Sequence, residues 1–197
     1  MRTEYMHILR SIVNNYQEYV EIAVSLQWQK AKTTYCDASQ YGSEVHLAFC
    51  TAAFPKGYLQ THFAEAFVQT MFTMMAYSEE WEPDNWAHIP LAERRKHLTQ
   101  GEALYRTYLC FERLTMQKMD AAEMQNDVHS WFPWAKTEKD SQSPYALLLP
   151  DKAKELFSRF SQAEAVLLGG MGGCTPDENW LAIQEDSFLF VSFHCSG

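Results

Sequence analysis

The chain has 197 residues, of which 47% are apolar and 21% are charged. This length suits one well-buried core, and the proportion of apolar to charged residues excludes a wholly disordered protein. The net charge of −9 excludes a general nucleic-acid binder, because such proteins carry a basic stripe and the run Arg94-Arg95-Lys96 is flanked by Glu93 and Glu102.

Helical spacing dominates the first part of the chain. Residues 3–30 predict one amphipathic helix. The polar residues 33–43 predict a loop, and a short helix is expected from Ser43 to Phe54. A second strong helix is predicted over residues 59–77. The inward face of the first helix is formed by Tyr5, Ile8, Ile12, Tyr16, Tyr19, Ala23 and Leu26.

The middle of the chain also shows signals for helix starts. Pro90 suits a first helical turn, and the helix that follows is expected to reach Leu114 or Met119. Asp120 and Glu123 resemble a capping box, which predicts a further helix ending near Pro133. After Pro150 another helix is predicted, with its inward face formed by Ala153, Leu156, Phe157 and Phe160.

Four of the eight glycines lie within Gly169–Gly173. Ser161 and Glu164 form a capping-box pattern, so a short helix is predicted over residues 165–168. The end of a helix presents carbonyl oxygens, which is the wrong electrostatic sign for a phosphate cradle. We therefore interpret the glycines as a hinge. The aromatic tail over residues 180–195 is predicted to be extended.

These patterns predict a mainly α fold, a helical bundle-like single domain with a short C-terminal extended segment. Residues 1–168 form the helical domain in this prediction. Residues 169–197 supply the Gly-rich hinge and an apolar C-terminal segment that packs on the helices or on a partner.

The five cysteines are odd in number and include no Cys-x-x-Cys pair, which argues against a disulfide framework or a structural zinc site. Reduced thiols indicate a cytoplasmic protein, with a nuclear location as the alternative. No metal or cofactor is expected. Cys174 follows two glycines whose N–H groups could form an oxyanion hole, so it is the candidate nucleophile of a Cys/His hydrolase.

An acidic and aromatic segment is the predicted site for a protein partner. Exposed tryptophans beside carboxylates suit recognition of a basic protein. Paired carboxylates could instead serve acid–base chemistry, or the aromatic rings could anchor an acidic loop to the core. The segment contains Glu79, Glu80, Trp81, Glu82, Asp84 and Trp86.

Three segments carry a resemblance to a known group of proteins. They are Pro90–Arg95, Ala103–Cys110 and Glu155–Ser161, followed by Glu164. In this order they resemble the helical region of uncharacterised F-box-like proteins of filamentous fungi, over about residues 89–168. The resemblance implies a helical, intracellular and non-enzymatic protein, and it implies no catalytic residues.

The sequence therefore predicts a non-enzymatic protein–protein interaction module that binds a protein partner. The acidic net charge suits a basic partner. Two alternatives stay open. One is the small Cys/His hydrolase, and the other is an inhibitor or immunity-type protein of a cognate toxin or nuclease. No nucleic-acid partner is expected, and no apolar run approaches the length of a membrane span.

Overall fold

A six-stranded antiparallel sheet forms the centre of the fold. The computed structural model describes residues 2–26, 28, 31–37, 45–77, 89–111, 115–136, 153–169 and 178–195. The strands lie in the order β1-β2-β6-β5-β4-β3, and every neighbouring pair is antiparallel. The elements are α1 (Thr3–Asn14), α2 (Tyr16–Ser25), β1 (Lys32–Asp37), β2 (Val45–Ala53), α3 (Tyr58–Thr61), α4 (Phe63–Tyr77), α5 (Leu91–Leu98), α6 (Gly101–Phe111), β3 (Gln117–Asp120), α7 (Ala121–Lys136), α8 (153–159), β4 (Glu164–Leu167), β5 (Glu178–Gln184) and β6 (Ser187–Cys195).

The predicted mainly α, bundle-like fold is therefore wrong, and the protein has an α/β fold. β1 occupies residues that were predicted as a loop, and β2 occupies most of the helix predicted from Ser43 to Phe54. The long helix predicted over residues 3–30 is two helices, α1 and α2. The domain boundary drawn at residue 168 falls between β4 and β5, which pair with each other.

Burial of both sheet faces explains why the sequence of β2 predicts a helix. The larger core lies between the sheet and α1, α2, α4, α5 and α6, and it receives Cys50 and Phe190. The smaller core lies between the sheet and α7 and α8, and it receives Phe49 and Val191. Since alternate side chains enter different cores, both kinds are apolar and the period-two pattern of a half-buried strand is lost.

The single helix predicted over residues 59–77 is broken at His62 into α3 and α4, and α4 lies at the centre of the larger core. Residues 66–76 are all buried. The hydroxyl of Thr70 donates to the carbonyl of Ala66, and that of Thr73 donates to the carbonyl of Gln69, each at 2.8 Å. These bonds within the helix allow polar side chains to lie in an apolar environment.

The predicted capping box at Asp120 and Glu123 is confirmed. The N–H of Glu123 donates to Asp120 Oδ1 at 2.8 Å, and the N–H of Asp120 donates to Glu123 Oε2 at 2.7 Å. The helix that begins there, α7, extends past its expected end at Pro133 to Lys136. The four residues predicted to face inward from α8, between Ala153 and Phe160, are all buried.

The second predicted capping box, at Ser161 and Glu164, is wrong. Glu164 is the first residue of β4 and pairs with Ile183 of β5. The glycine run therefore follows a strand and lies in the connection between two paired strands. Gly169 has φ 44°, and a Cβ there would overlap the hydroxyl of Thr115, so this position requires glycine. The other glycines of the run lie outside the described residues.

The turn between β5 and β6 holds α3 in place through Asp186. Its carboxylate accepts the N–H of Gly57 at 2.6 Å and the N–H of Leu59 at 3.1 Å. The carbonyl of Asp186 also accepts the N–H of Phe54 at 2.8 Å. One residue thus connects the β5–β6 turn to the segment that follows β2.

We expect Asp186→Ala to lower the free energy of unfolding by about 1–3 kcal/mol, because two backbone donors lose a charged acceptor. Asp186→Asn keeps one acceptor oxygen and should lose less. Urea unfolding followed by circular dichroism measures both. Glu185→Gln, at the exposed neighbouring position, is the matched control. Equal stability of Asp186→Ala and the control would contradict the assigned role.

Candidate functional site

The functional residues predicted from sequence lie outside the described residues. Glu79, Glu80, Trp81, Glu82, Asp84 and Trp86 fall within residues 78–88, and Cys174 falls within residues 170–177. Their proposed roles stay predictions. The described residues present a different candidate site on α2 and α6.

Four large side chains are exposed on these two helices: Val24 near the end of α2, which is 63% exposed, and the three that follow. Tyr16 of α2 is 40% exposed, and Tyr105 and Leu109 of α6 are 47% and 40% exposed. The rings of Tyr16 and Tyr105 meet edge to face, with their centroids 5.6 Å apart. We call Tyr16, Tyr105 and Leu109 the tyrosine surface. Large exposed side chains that adjoin one another often mark a protein interface.

Buried contacts beneath the tyrosine surface fix α2 against α6. Tyr19 is fully buried, and its hydroxyl lies 2.6 Å from the hydroxyl of the buried Thr107. The hydroxyl of Tyr108 donates to the carbonyl of Val13 at 3.3 Å. The ring of Tyr108 lies 4.9 Å from that of Tyr16. The exposed rings are therefore held on a rigid base, which lowers the entropy lost when a partner binds.

A break at Asn15 places Tyr16 on the surface. Asn15 has an extended backbone, and its Oδ1 accepts the N–H of Glu18 at 3.2 Å, so it caps α2. The sequence prediction placed Tyr16 on the inward face of one continuous helix, which is wrong. The asparagine cap was the signal for the break, because asparagine is a preferred N-cap residue.

A second cluster joins α7 to β5 through two tryptophan–carboxylate pairs. Trp131 Nε1 donates to Glu178 Oε2 at 2.8 Å, and Trp180 Nε1 donates to Asp127 Oδ2 at 2.9 Å. Burial raises the pKa of Glu178. The hydrogen bond from Trp131 opposes this shift, and the charge of Asp127 adds to it. The ring of Trp131 stacks on Phe193 with centroids 4.3 Å apart, so this cluster packs on the smaller core.

We expect Glu178→Gln to change how stability depends on pH. Because folding raises the pKa of Glu178 above its ordinary value of 4.5, its contribution to stability is present below that value and is lost as the pH rises through the folded-state pKa. The wild type should therefore lose stability relative to Glu178→Gln as the pH rises from 4.5 through the raised folded-state pKa. The glutamine oxygen can still accept the hydrogen bond from Trp131.

Urea titrations at each pH measure this difference. Glu4→Gln, at an exposed position of α1, removes the same charge and should keep the wild-type profile. Parallel pH profiles for the wild type and Glu178→Gln would contradict the prediction.

An open cavity of about 340 Å³ lies between the start of α1 and the ends of β4 and β5. Arg2 crosses it, with Nε 3.5 Å from Glu164 Oε1 and the guanidinium carbon 5.4 Å from the centroid of the Tyr5 ring. Gln184 also lines it, and its side chain bonds to the carbonyl of Arg159 and to the N–H of Gln162. These contacts join the start of α1 to β4 and hold the end of β5 against the segment before β4, which suits a structural role.

The described side chains offer no reactive thiol. Cys50 is fully buried, and burial raises the pKa of its thiol to about 12, with a smaller opposing effect from Arg95. A thiol in this state is a poor nucleophile. Among the residues that the structure describes, no three histidines, cysteines or carboxylates could hold a metal ion together.

We expect iodoacetamide to leave Cys50 unmodified in the folded protein and to alkylate it after denaturation, because only the thiolate reacts and the folded core excludes the reagent. Peptide mass spectrometry measures the modified fraction at Cys50. The denatured sample is the control for the same peptide. Rapid labelling of Cys50 under native conditions would show that β2 is not buried as described.

The basic run on α5 makes contacts within the protein. Arg94 Nη1 donates to the carbonyl of Ala76 at 2.6 Å, near the end of α4. The guanidinium carbon of Arg95 lies 5.3 Å from the centroid of the Trp28 ring. Both arginines therefore help to attach α5 to the larger core, which accounts for a basic run in an acidic protein.

Comparison with known proteins gives no relative for this chain. No family model, no curated protein and no solved structure matches it. The resemblance to F-box-like proteins stays a prediction. Within the described ranges, no helix is long and apolar enough to cross a membrane.

Proposed function

We propose that this chain is a non-enzymatic protein-interaction module that binds a basic protein partner through the tyrosine surface. The main support for this proposal is that Tyr16, Tyr105 and Leu109 are exposed side by side on two helices. Tyrosine is enriched among the residues that dominate binding energy, because it buries a large area at little entropic cost. The net charge of −9 favours a basic partner.

The acidic and aromatic segment between Glu79 and Trp86 remains a proposed second contact region. This segment is negatively charged, as the chain is overall. The segment and the tyrosine surface therefore favour the same kind of partner. A partner that contacts both would bind more tightly than either region alone allows.

We expect a photoreactive benzoylphenylalanine at position 105 to form one discrete adduct with a partner protein in cell extract. The same residue at position 118, an exposed position on β3, is the control and should form none. Because opposite charges assist the contact, the adduct should decrease at high salt. Mass spectrometry identifies the adduct. Equal labelling from positions 105 and 118 would contradict the proposal.

Once purified, that partner provides a quantitative test. Replacing both Tyr105 and Leu109 by alanine should weaken binding about tenfold or more, as expected for central interface residues. Both side chains are partly exposed, so folding should be retained, and circular dichroism checks this. Unchanged affinity in a folded double variant would exclude the tyrosine surface as the binding site.

A further inference from the structure

We propose that the tyrosine surface recognises arginine side chains of the partner, with guanidinium groups stacked on Tyr16 and Tyr105 and paired with Glu102. This inference rests on the proposed function and specifies the chemistry of the partner segment. Three observations support it: the partly exposed rings, the acidic net charge, and two guanidinium–ring contacts within the chain itself.

The two tyrosine rings contact each other and are still partly accessible to solvent. Tyr16 and Tyr105 are nearly perpendicular, at 88°, so the edge of one ring points at the face of the other. The face of a tyrosine ring carries the negative part of its quadrupole and attracts a cation within about 6 Å of the centroid.

The acidic charge of the chain favours a cation. Glu102 lies three residues before Tyr105, so its exposed carboxylate is on the same side of α6, and Arg106 follows Tyr105. The carboxylates of Glu18 and Glu21 on α2 lie off the side of the helix that contributes to the tyrosine surface. The net charge of −9 favours a basic segment and disfavours a second copy of the acidic chain.

The chain already contains the arrangement that we infer for the interface. Arg2 contacts both an aromatic ring, that of Tyr5, and a carboxylate, that of Glu164. Arg95 lies over the ring of Trp28. The planar guanidinium stacks on a ring while it donates hydrogen bonds in its plane, whereas the ammonium of lysine is a strongly hydrated point charge. The tyrosine surface should therefore prefer arginine to lysine at equal charge.

Two capped peptides of about six residues, one of arginine and one of lysine, test this preference. Titration into the full-length ¹⁵N-labelled chain, followed by amide chemical shifts, gives both affinities. We expect the arginine peptide to bind about three- to fivefold more tightly and to shift amides of α2 and α6. Equal affinities, or shifts confined to other elements, would overturn the inference.

Variants separate ring, charge and folding effects. Tyr105→Leu should remove most of the preference for arginine, whereas Tyr105→Phe should keep it, because the ring face is retained. Glu102→Gln should weaken binding of both peptides. Glu4→Gln changes the net charge equally on α1 and should leave the amide shifts of α2 and α6 as in the wild type. A preference that survives in folded Tyr105→Leu would also overturn the inference.

The outcomes distinguish this inference from the proposed function. A partner that crosslinks at position 105, together with equal peptide affinities, rejects arginine recognition and leaves the interaction module supported. A clear arginine preference without any protein adduct at position 105 rejects the proposed protein partner instead.

Discussion

The pairing of β2 with β6 joins two parts of the sheet that lie far apart in the sequence. Its register runs over nine residue pairs, from Val45 opposite Cys195 to Ala53 opposite Ser187. Among the described strands, β1 joins the sheet only through β2, whereas β5, β4 and β3 follow from β6. Both cores form on this central pair, since its alternate side chains enter opposite faces. The helices on both sides therefore depend on one ladder of backbone hydrogen bonds.

The sequence predicted those elements whose local sequence signals do not depend on distant parts of the chain. The buried helix α4, the capping box of α7 and the extended tail all carry such signals, and the structure contains each of them. β2 and β4 were missed because short apolar runs do not distinguish a strand buried on both faces from a helix. Their partners, far away in the chain, decide the outcome, and a single sequence gives no such pairing.

The candidate site was missed for a related reason. Tyr16 and Tyr105 belong to separate helices, and only tertiary packing brings their rings together. The break at Asn15 turns Tyr16 away from the face that a continuous helix would have given it. The carbonyl of Asn15 still accepts the N–H of Tyr19, which keeps Tyr19 in the core. A single asparagine cap thus separates a buried tyrosine from an exposed one three residues earlier.

The central position of β6 has a consequence for synthesis on the ribosome. β2 is made early, but its partner on one side is complete only when Cys195 has left the exit tunnel. Until then the apolar residues Leu47 and Phe49 and one backbone edge of β2 lack their final cover. Such an edge invites pairing with other nascent chains.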